Sequence, residues 1–390
     1  MPVVAWGAII IVCVFFFALT YNLSTSISFP ADSQWMSSPA IIHQPKLDRT
    51  SYDKKLAYIA QPLSVDRAKE AALATTSTST STLHTAVPAT HGASTSMNAK
   101  GSPRATSTTA TSIATSTLPL WPVNTVYPNY GALLPFDRIV AYYGNFYTGQ
   151  LGVLGQYPPE VMLGKLKDEA AKWQAADPET PVIPAIDYIA VTAQGSPGDD
   201  GKYRLRMPAD QIQRAVTLAD EVGGLVFLDI QVGQSDVQTE VPLLEPFLKL
   251  PNVELALDPE FAMPPGKRPG RTIGSIDATD INFAAQYLAQ VVKENDLPPK
   301  ILVIHRFTEE MVTRVKDIAP LPEVQMVMDM DGFGTRAQKM KVYGEVVTDE
   351  PVQFTGLKLF YKNDVQAAGG MMTDAEILNL RPQPSYIQYQ

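Results

Sequence analysis

The sequence predicts an α/β fold, a (β/α)8 TIM barrel preceded by a single N-terminal transmembrane anchor and a disordered Ser/Thr-rich linker. Three observations carry this. Eight short apolar runs alternate with amphipathic stretches after residue 138. Links leading from strand to helix are long, and links back are short. Before residue 119 the texture changes to one apolar run and then a tract of Ser, Thr and Ala. The expected segments are an anchor or signal at 1–22, a mostly irregular juxtamembrane stretch at 23–71, a linker at 72–118 and the barrel at 119–390.

Val3–Leu19 (VVAWGAIIIVCVFFFAL) is almost continuously apolar, at the short end of what spans a bilayer as a helix. A cleaved signal would show a basic n-region and a small-residue cleavage site, and neither is present. A lipoprotein signal would set a small residue before the lipidated cysteine, but Val12 precedes Cys13. The expectation is an uncleaved single-pass anchor with the rest of the chain extracytoplasmic. Residues 72–118 lack the apolar side chains that would offset ordering entropy, so they read as a flexible spacer. A short helix is expected around Arg67–Leu73.

The eight runs are Arg138–Gly144, Val182–Val191, Leu225–Val232, Val253–Phe261, Lys300–Phe307, Val324–Asp331, Gly356–Tyr361 and Ser385–Tyr389. Between them Ile212, Ala215, Val216, Ala219 and Val222 recur at helical spacing, as do Ile281, Ala284, Ala285, Leu288, Val291 and Val292. Thr373 and Glu376 read as a capping box. Strand–helix alternation implies parallel strands with right-handed crossovers. Eight units close into a barrel. The competing open doubly wound sheet lacks a G-x-G-x-x-G after its first strand. Asn145–Pro158, Thr192–Pro208 and Ala262–Ile276 are long links, whereas Gly223–Gly224, Leu250–Asn252 and Asp296–Pro299 are short. That asymmetry puts function on the strand C-terminal face.

Composition removes some classes. The 390 residues carry a net charge of −9 and no long basic run, which argues against nucleic-acid binding. The one cysteine, Cys13, excludes an intramolecular disulfide and a thiolate zinc site. No cofactor or resident metal is expected, and the barrel is expected to be monomeric.

Side chains two apart on a strand share a face. With Leu255 and Leu257 toward the helices, Ala256, Asp258 and Glu260 point inward. Leu228, Ile230 and Val232 outside leave Asp229 and Gln231 inside. Met326, Met328 and Met330 outside leave Gln325, Asp329 and Asp331 inside. Tyr143, Asp187, His305 and Lys358 join them, with Tyr361 close by. A structural barrel fills its interior with branched apolar layers, and unpaired buried carboxylates are costly. Six acids at one mouth therefore read as a ligand or catalytic site. Singly, the bland readings compete: His305 as a hydrogen-bonded core residue, Arg306 as an outer ion-pair partner, Gly334 and Thr335 as a turn and helix cap. Tyr142, Tyr143, Phe146 and Tyr147 read equally as a sugar platform or as packing. Asp329 and Asp331 open like a calcium loop with Gly334 at its sixth position, but Met340 stands at the twelfth, where that loop needs glutamate.

At LDIQVG (228–233), LALDPEF (255–261), GRTIGSIDATDIN (270–282), MDGFG (330–334) and GLKLFY (356–361) the chain resembles an uncharacterised family of bacterial, often actinobacterial, secreted or lipoprotein TIM-barrel proteins of glycosidase-like form. The resemblance covers most of 138–365. It implies the fold and an extracytoplasmic setting, not a reaction. The family's usual lipobox is absent here, which favours a protein anchor.

The functional expectation is a glycoside-hydrolase-like barrel acting on a carbohydrate or cell-envelope polymer. Such chemistry needs an acid and a base or nucleophile flanking the scissile bond. Glu260 is the expected acid, and Asp329 or Asp331 the second carboxylate. Tyr143, Asp187, Asp229, Gln231, Asp258, His305, Lys358 and Tyr361 are expected to bind substrate. The alternatives are a non-catalytic carbohydrate- or wall-binding barrel and a metal-dependent hydrolase, since Asp229, Asp258, Glu260, His305, Asp329 and Asp331 are hard ligands. Against the last stands the missing H-x-H pair on the first strand.

Overall fold

A computed structural model of the chain describes residues 46–60, 121, 123 and 125–390. The expected anchor, the Ser/Thr-rich spacer and the helix expected near residues 67–73 lie outside the described residues. Among those described, no helix is long and apolar enough to cross a membrane.

Eight parallel strands form the barrel: β1 (Arg138–Gly144), β2 (Val182–Ala193), β3 (Leu225–Ile230), β4 (Val253–Leu257), β5 (Lys300–Arg306), β6 (Val324–Met330), β7 (Phe354–Leu359) and β8 (Tyr386–Tyr389). Each pairs with its sequence neighbours, and β1 pairs with both β8 and β2, so the sheet closes. Closure removes every edge from the parallel sheet. A three-residue strand, Arg204–Arg206, adds antiparallel to the end of β2.

The crossovers are less regular than strict alternation implies. Full helices follow β1 (Pro159–Ala176), β2 (Ala209–Asp220) and β4 (Ala278–Asn295). After β3 there are two four-residue helices joined by a 3-10 turn, Pro242–Leu244. After β5 there are only single 3-10 turns around Val312–Thr313, which pairs with Ile276–Asp277. That crossover spends its residues on pairing with a neighbouring loop, and Pro320 and Pro322 close it, since proline cannot donate within a helix.

Two cores follow from the two faces of each strand. Outward side chains, among them Leu228, Ile230, Leu255, Leu257, Met326, Met328 and Met330, pack against the helices. Inward, Ile139, Ala141, Ala185, Leu225, Phe227, Ala256, Ile301, Val303, Val327 and Phe354 fill the lower barrel. Each such apolar side chain beyond alanine stabilises by roughly 1.5–3 kcal/mol when fully buried. The lower half is therefore a packed core, and the upper half carries the polar groups.

The N-terminal end of the barrel is plugged. Tyr52 and Leu134 join the inner core, and Gln325 fixes the plug by accepting from Leu134 N at 3.1 Å and donating to Leu134 O at 2.6 Å. Tyr52 belongs to a helix, α1 (Arg49–Ala60), within the stretch expected to be mostly irregular. Tyr52, Leu56 and Ile59 share one helical face through i, i+4 and i+7 spacing. That is too few apolar positions to stand out along the sequence. Lys55 Nζ donates to Glu179 O at 2.8 Å and Thr180 Oγ1 at 2.9 Å, and Tyr58 OH donates to Asp177 Oδ1 at 2.6 Å. The packed unit thus includes residues 46–60, and the chain on both sides of the Ser/Thr-rich stretch lies against the same end of the barrel.

Candidate functional site

At the C-terminal mouth the inward positions become polar. Tyr143, Asp187, Asp229, Gln231, Asp258, His305, Asp329, Asp331, Lys358 and Gln388 are all buried. They form three linked groups. In the first, Tyr143 OH donates to Asp229 Oδ2 at 2.8 Å, while Gln231 Nε2 donates to Tyr143 OH and to Asp258 Oδ2, each at 3.1 Å. Gln231 Oε1 accepts from Ala193 N at 3.0 Å, which fixes the amide orientation. In the second, Tyr386 OH and Gln388 Nε2 both donate to Asp187 Oδ2 at 2.7 Å. In the third, His305 Nδ1 lies 3.1 Å from Asp329 Oδ2 and 3.7 Å from Asp331 Oδ2, and Lys358 Nζ lies 3.6 Å from the same Asp331 oxygen. Lys358 also sits over the Tyr143 ring, 3.6 Å from its centroid, a desolvated cation–π contact.

Glu260 arrives differently from expectation. β4 stops at Leu257, because Pro259 has no N–H to continue the ladder. Asp258 caps the 3-10 turn Pro259–Phe261, accepting from Glu260 N at 3.2 Å. Strand alternation therefore does not place Glu260; the turn does, leaving it partly exposed at the rim while Asp258 points inward. Gly274 lies across this turn, and its N–H donates to Glu260 O at 2.6 Å. A Cβ there would come within 2.5 Å of Ala262 O and 2.6 Å of Pro259 O, so only glycine lets the long loop press down on the turn.

Tyr361 is corrected. It lies on the helix side, stacked on Tyr389 at 5.1 Å and within hydrogen-bond reach of Tyr142 OH at 3.3 Å. The strand has ended at Leu359, so alternation no longer governs its direction. Tyr142 is in the same outer cluster and Phe146 stacks on Tyr188 at 4.8 Å, so both are packing residues rather than a platform. Arg306 pairs with Glu350 at 2.6 Å outside the barrel, and Thr335 forms a capping box with Gln338.

Several contributors had no sequence expectation attached. Tyr386 and Gln388 hold Asp187. Lys339, on the helix Arg336–Tyr343, pairs with Asp364 at 3.1 Å and donates to Gly332 O and Lys358 O, each at 2.7 Å. It ties the loop that carries Asp331 to the strand that carries Lys358.

The electrostatics follow from burial and crowding. Burial, then the Asp331 charge, pushes the Glu260 carboxyl up to about 7. Burial, then Asp229, pushes Asp187 up to about 7. Asp258 is raised well above the usual range by burial, then by Asp229 and Asp331. Burial also raises Asp229 and Asp329. For His305 burial pulls down, but the hydrogen bond to Asp329 and the charge of Asp229 outweigh it and lift the imidazole to about 10. The site thus holds acids that keep protons and an imidazolium that does not readily lose one. Among the described residues, no group of three or more His, Cys, Asp or Glu is arranged to hold a metal ion.

The fold defined by this strand pairing is a closed eight-stranded parallel α/β barrel with a polar C-terminal mouth. No protein-family model and no curated protein matches the chain. Among solved structures it is similar to XEG5A, a GH5 xyloglucan-specific endo-β-1,4-glucanase from a metagenomic library in complex with cellotriose. The identity is 12% and the TM-score 0.33, over 60% of this chain and 78% of that one. It is also similar to Burkholderia cenocepacia dihydropteroate synthase, at 11% identity and a TM-score of 0.28, over 65% of this chain and 85% of that one.

Proposed function

We propose that the chain is a membrane-tethered, extracytoplasmic glycoside-hydrolase-like barrel that cleaves a polysaccharide through paired carboxylates at its strand ends. One observation carries the reading: two rim carboxyl groups with opposite surroundings. Glu260 sits where burial and the Asp331 charge favour its neutral form up to about 7. Asp331 lies 3.6 Å from the Lys358 ammonium and 3.7 Å from the His305 imidazole. A carboxyl that keeps its proton, beside one flanked by two cationic side chains, supplies the two groups that this chemistry needs.

Glu260 then protonates the leaving oxygen, and Asp331 attacks the anomeric carbon or activates a water. Asp329 is better suited to support. Its Oδ2 is engaged with His305, so it orients the imidazole. In this reading Asp229, Asp258 and Gln231 bind substrate polar groups.

Tethering is supported by the apolar run Val3–Leu19. Deleting residues 1–22 is expected to move the protein from the membrane fraction to the soluble one, and unchanged partitioning would remove the anchor from the reading. The hydrolase reading is tested by incubating the purified protein with an oligosaccharide panel and following reducing ends. Cleavage abolished by Glu260→Gln and by Asp331→Asn is the expected result. Binding without turnover across the panel would leave a carbohydrate-binding barrel instead.

A further inference from the structure

Six carboxyl groups, Asp187, Asp229, Asp258, Glu260, Asp329 and Asp331, share the mouth with two cationic side chains, His305 and Lys358. The hydrogen-bond accounting is lopsided. Asp187 Oδ1, Asp229 Oδ1, Asp329 Oδ1, Asp331 Oδ1 and Gln388 Oε1 are buried with no partner, and the one unpartnered site nitrogen is His305 Nε2. Asp187, Asp229, His305, Asp329 and Gln388 are wholly buried, so bulk water does not satisfy these atoms cheaply.

A ligand that completes this set must donate more than it accepts. A sugar hydroxyl donates one proton but brings lone pairs that need donors of their own. An N-acetyl group adds a carbonyl, an acceptor facing acceptors. An ammonium offers three donors and no acceptor.

We propose that the substrate carries a free, un-acetylated amino sugar whose ammonium is held among Asp229, Asp258 and Asp331. Asp229 and Asp331 each present a bare oxygen. Asp258 is tied to the Asp229 side through Gln231 and Tyr143. That the ligand is a glycan rests on the hydrolase reading; that it is cationic rests on the unpaired oxygens. The raised carboxyls agree with this. An ammonium among them would draw protons off, so binding at pH 6 releases protons.

The experiment is calorimetry with a β-1,4-linked glucosamine tetramer, its N-acetylated counterpart and cellotetraose. It is run at pH 6 in two buffers of different ionisation heat, on Glu260→Gln to prevent turnover, with wild-type cleavage of each oligomer measured in parallel. The glucosamine tetramer is expected to bind at least about tenfold more tightly than either neutral oligomer, corresponding to about 1.4 kcal/mol, with net proton release. Adding Asp229→Asn is expected to bring the three within about threefold, with a thermal melt showing that the barrel is folded. If that variant does not fold, the proton release and the preference on Glu260→Gln decide alone. Preferred binding with cleavage supports both readings. Preferred binding without wild-type cleavage keeps the cationic ligand and removes the hydrolase. Neutral oligomers bound equally well and cleaved keep the hydrolase and overturn the amine. No binding of the glucosamine tetramer overturns the amine as well.

Discussion

Asp329 lies over Gly356 so closely that a Cβ on the glycine would come 2.5 Å from Asp329 Oδ1 and 3.1 Å from its Cβ. The two residues are directly paired in the β6–β7 register. The missing side chain on β7 is the space in which the Asp329 carboxylate turns to meet His305. Gly356→Ala is therefore expected to destabilise the fold by about 1–3 kcal/mol through overpacking. It is also expected to break the His305–Asp329 contact. Urea unfolding measures the first effect, and an NMR titration of His305 the second. The imidazole should fall from its alkaline value toward about 6.5. An unchanged titration would show that Asp329 does not depend on this space.

The pH dependence of stability follows from the raised groups. Asp187 and Glu260 sit near 7 in the folded chain, against ordinary values of 3.8 and 4.5. Their stabilising effect is full below those ordinary values and is lost as pH rises toward 7. His305, raised from 6.5 to about 10, contributes stability that is full below 6.5 and lost as pH rises through about 10. Both act in the same direction, so Tm is expected to fall steadily from pH 5 to pH 9. Asp277 is lowered by its Arg314 partner and acts only at acid pH, outside this window. Asp187→Asn should flatten the limb between pH 5 and 7 in a calorimetric scan. A Tm that climbs across that limb would contradict the crowded-acid picture.

How much of this was legible in the sequence depends on where a period holds. Once Leu228 and Ile230 face the helices, Asp229 must face inward, and the same parity places Asp187, His305, Asp329 and Lys358. The period fails where the strand ends. Pro259 breaks it before Glu260, which reaches the rim from a turn, and Tyr361 lies beyond Leu359 and swings outward. In Ser385–Tyr389 the same parity places Tyr386 and Gln388 inside, once Ile387 is outside. The Lys339–Asp364 pair is different in kind. It joins the helix Arg336–Tyr343 to the short helix Asn363–Gln366 through space, and no spacing along the chain encodes it.

That pair carries its own expectation. Lys339 and Asp364 have side chains 1% and 0% exposed, so removing one leaves the other charged, buried and unpaired. Lys339→Met is expected to cost about 3–5 kcal/mol, whereas replacing both partners with apolar residues should recover most of that. Because Lys339 also donates to Gly332 O and Lys358 O, the double variant should still lose turnover while regaining stability. Comparing urea midpoints with turnover separates these effects. Full activity in the double variant would remove Lys339 from positioning Asp331.

If Glu260 is the general acid, its protonation sets the alkaline limb of activity. The expected kcat/KM profile falls above about 7 as Glu260 ionises. Glu260→Gln should lower turnover by about 10²–10⁴-fold and abolish that limb. Gly274→Ala offers an independent check, because it shifts the Pro259–Phe261 turn without touching the carboxyl. It should reduce kcat with little change in the limb's position. A limb that stays near 7 in Glu260→Gln would assign the acid elsewhere.

The helix α1 tests where the folded unit begins. Tyr52 is 2% exposed and meets Tyr127 and Phe136 edge-on at 5.6 and 6.1 Å, and Gln383 N donates to Ile59 O at 2.9 Å. These contacts span the barrel's closed end, so the helix acts as its stopper. Tyr52→Ala should cost about 3–5 kcal/mol, the range for deleting a large buried aromatic ring. A chain beginning at residue 46 should melt like the full protein, whereas one beginning at residue 61 should melt lower and expose Leu134 and the inner core. Adding back a separate peptide of residues 46–60 should restore part of the lost Tm. If the two truncated chains melt alike, the barrel is complete without α1 and the helix merely rests against it.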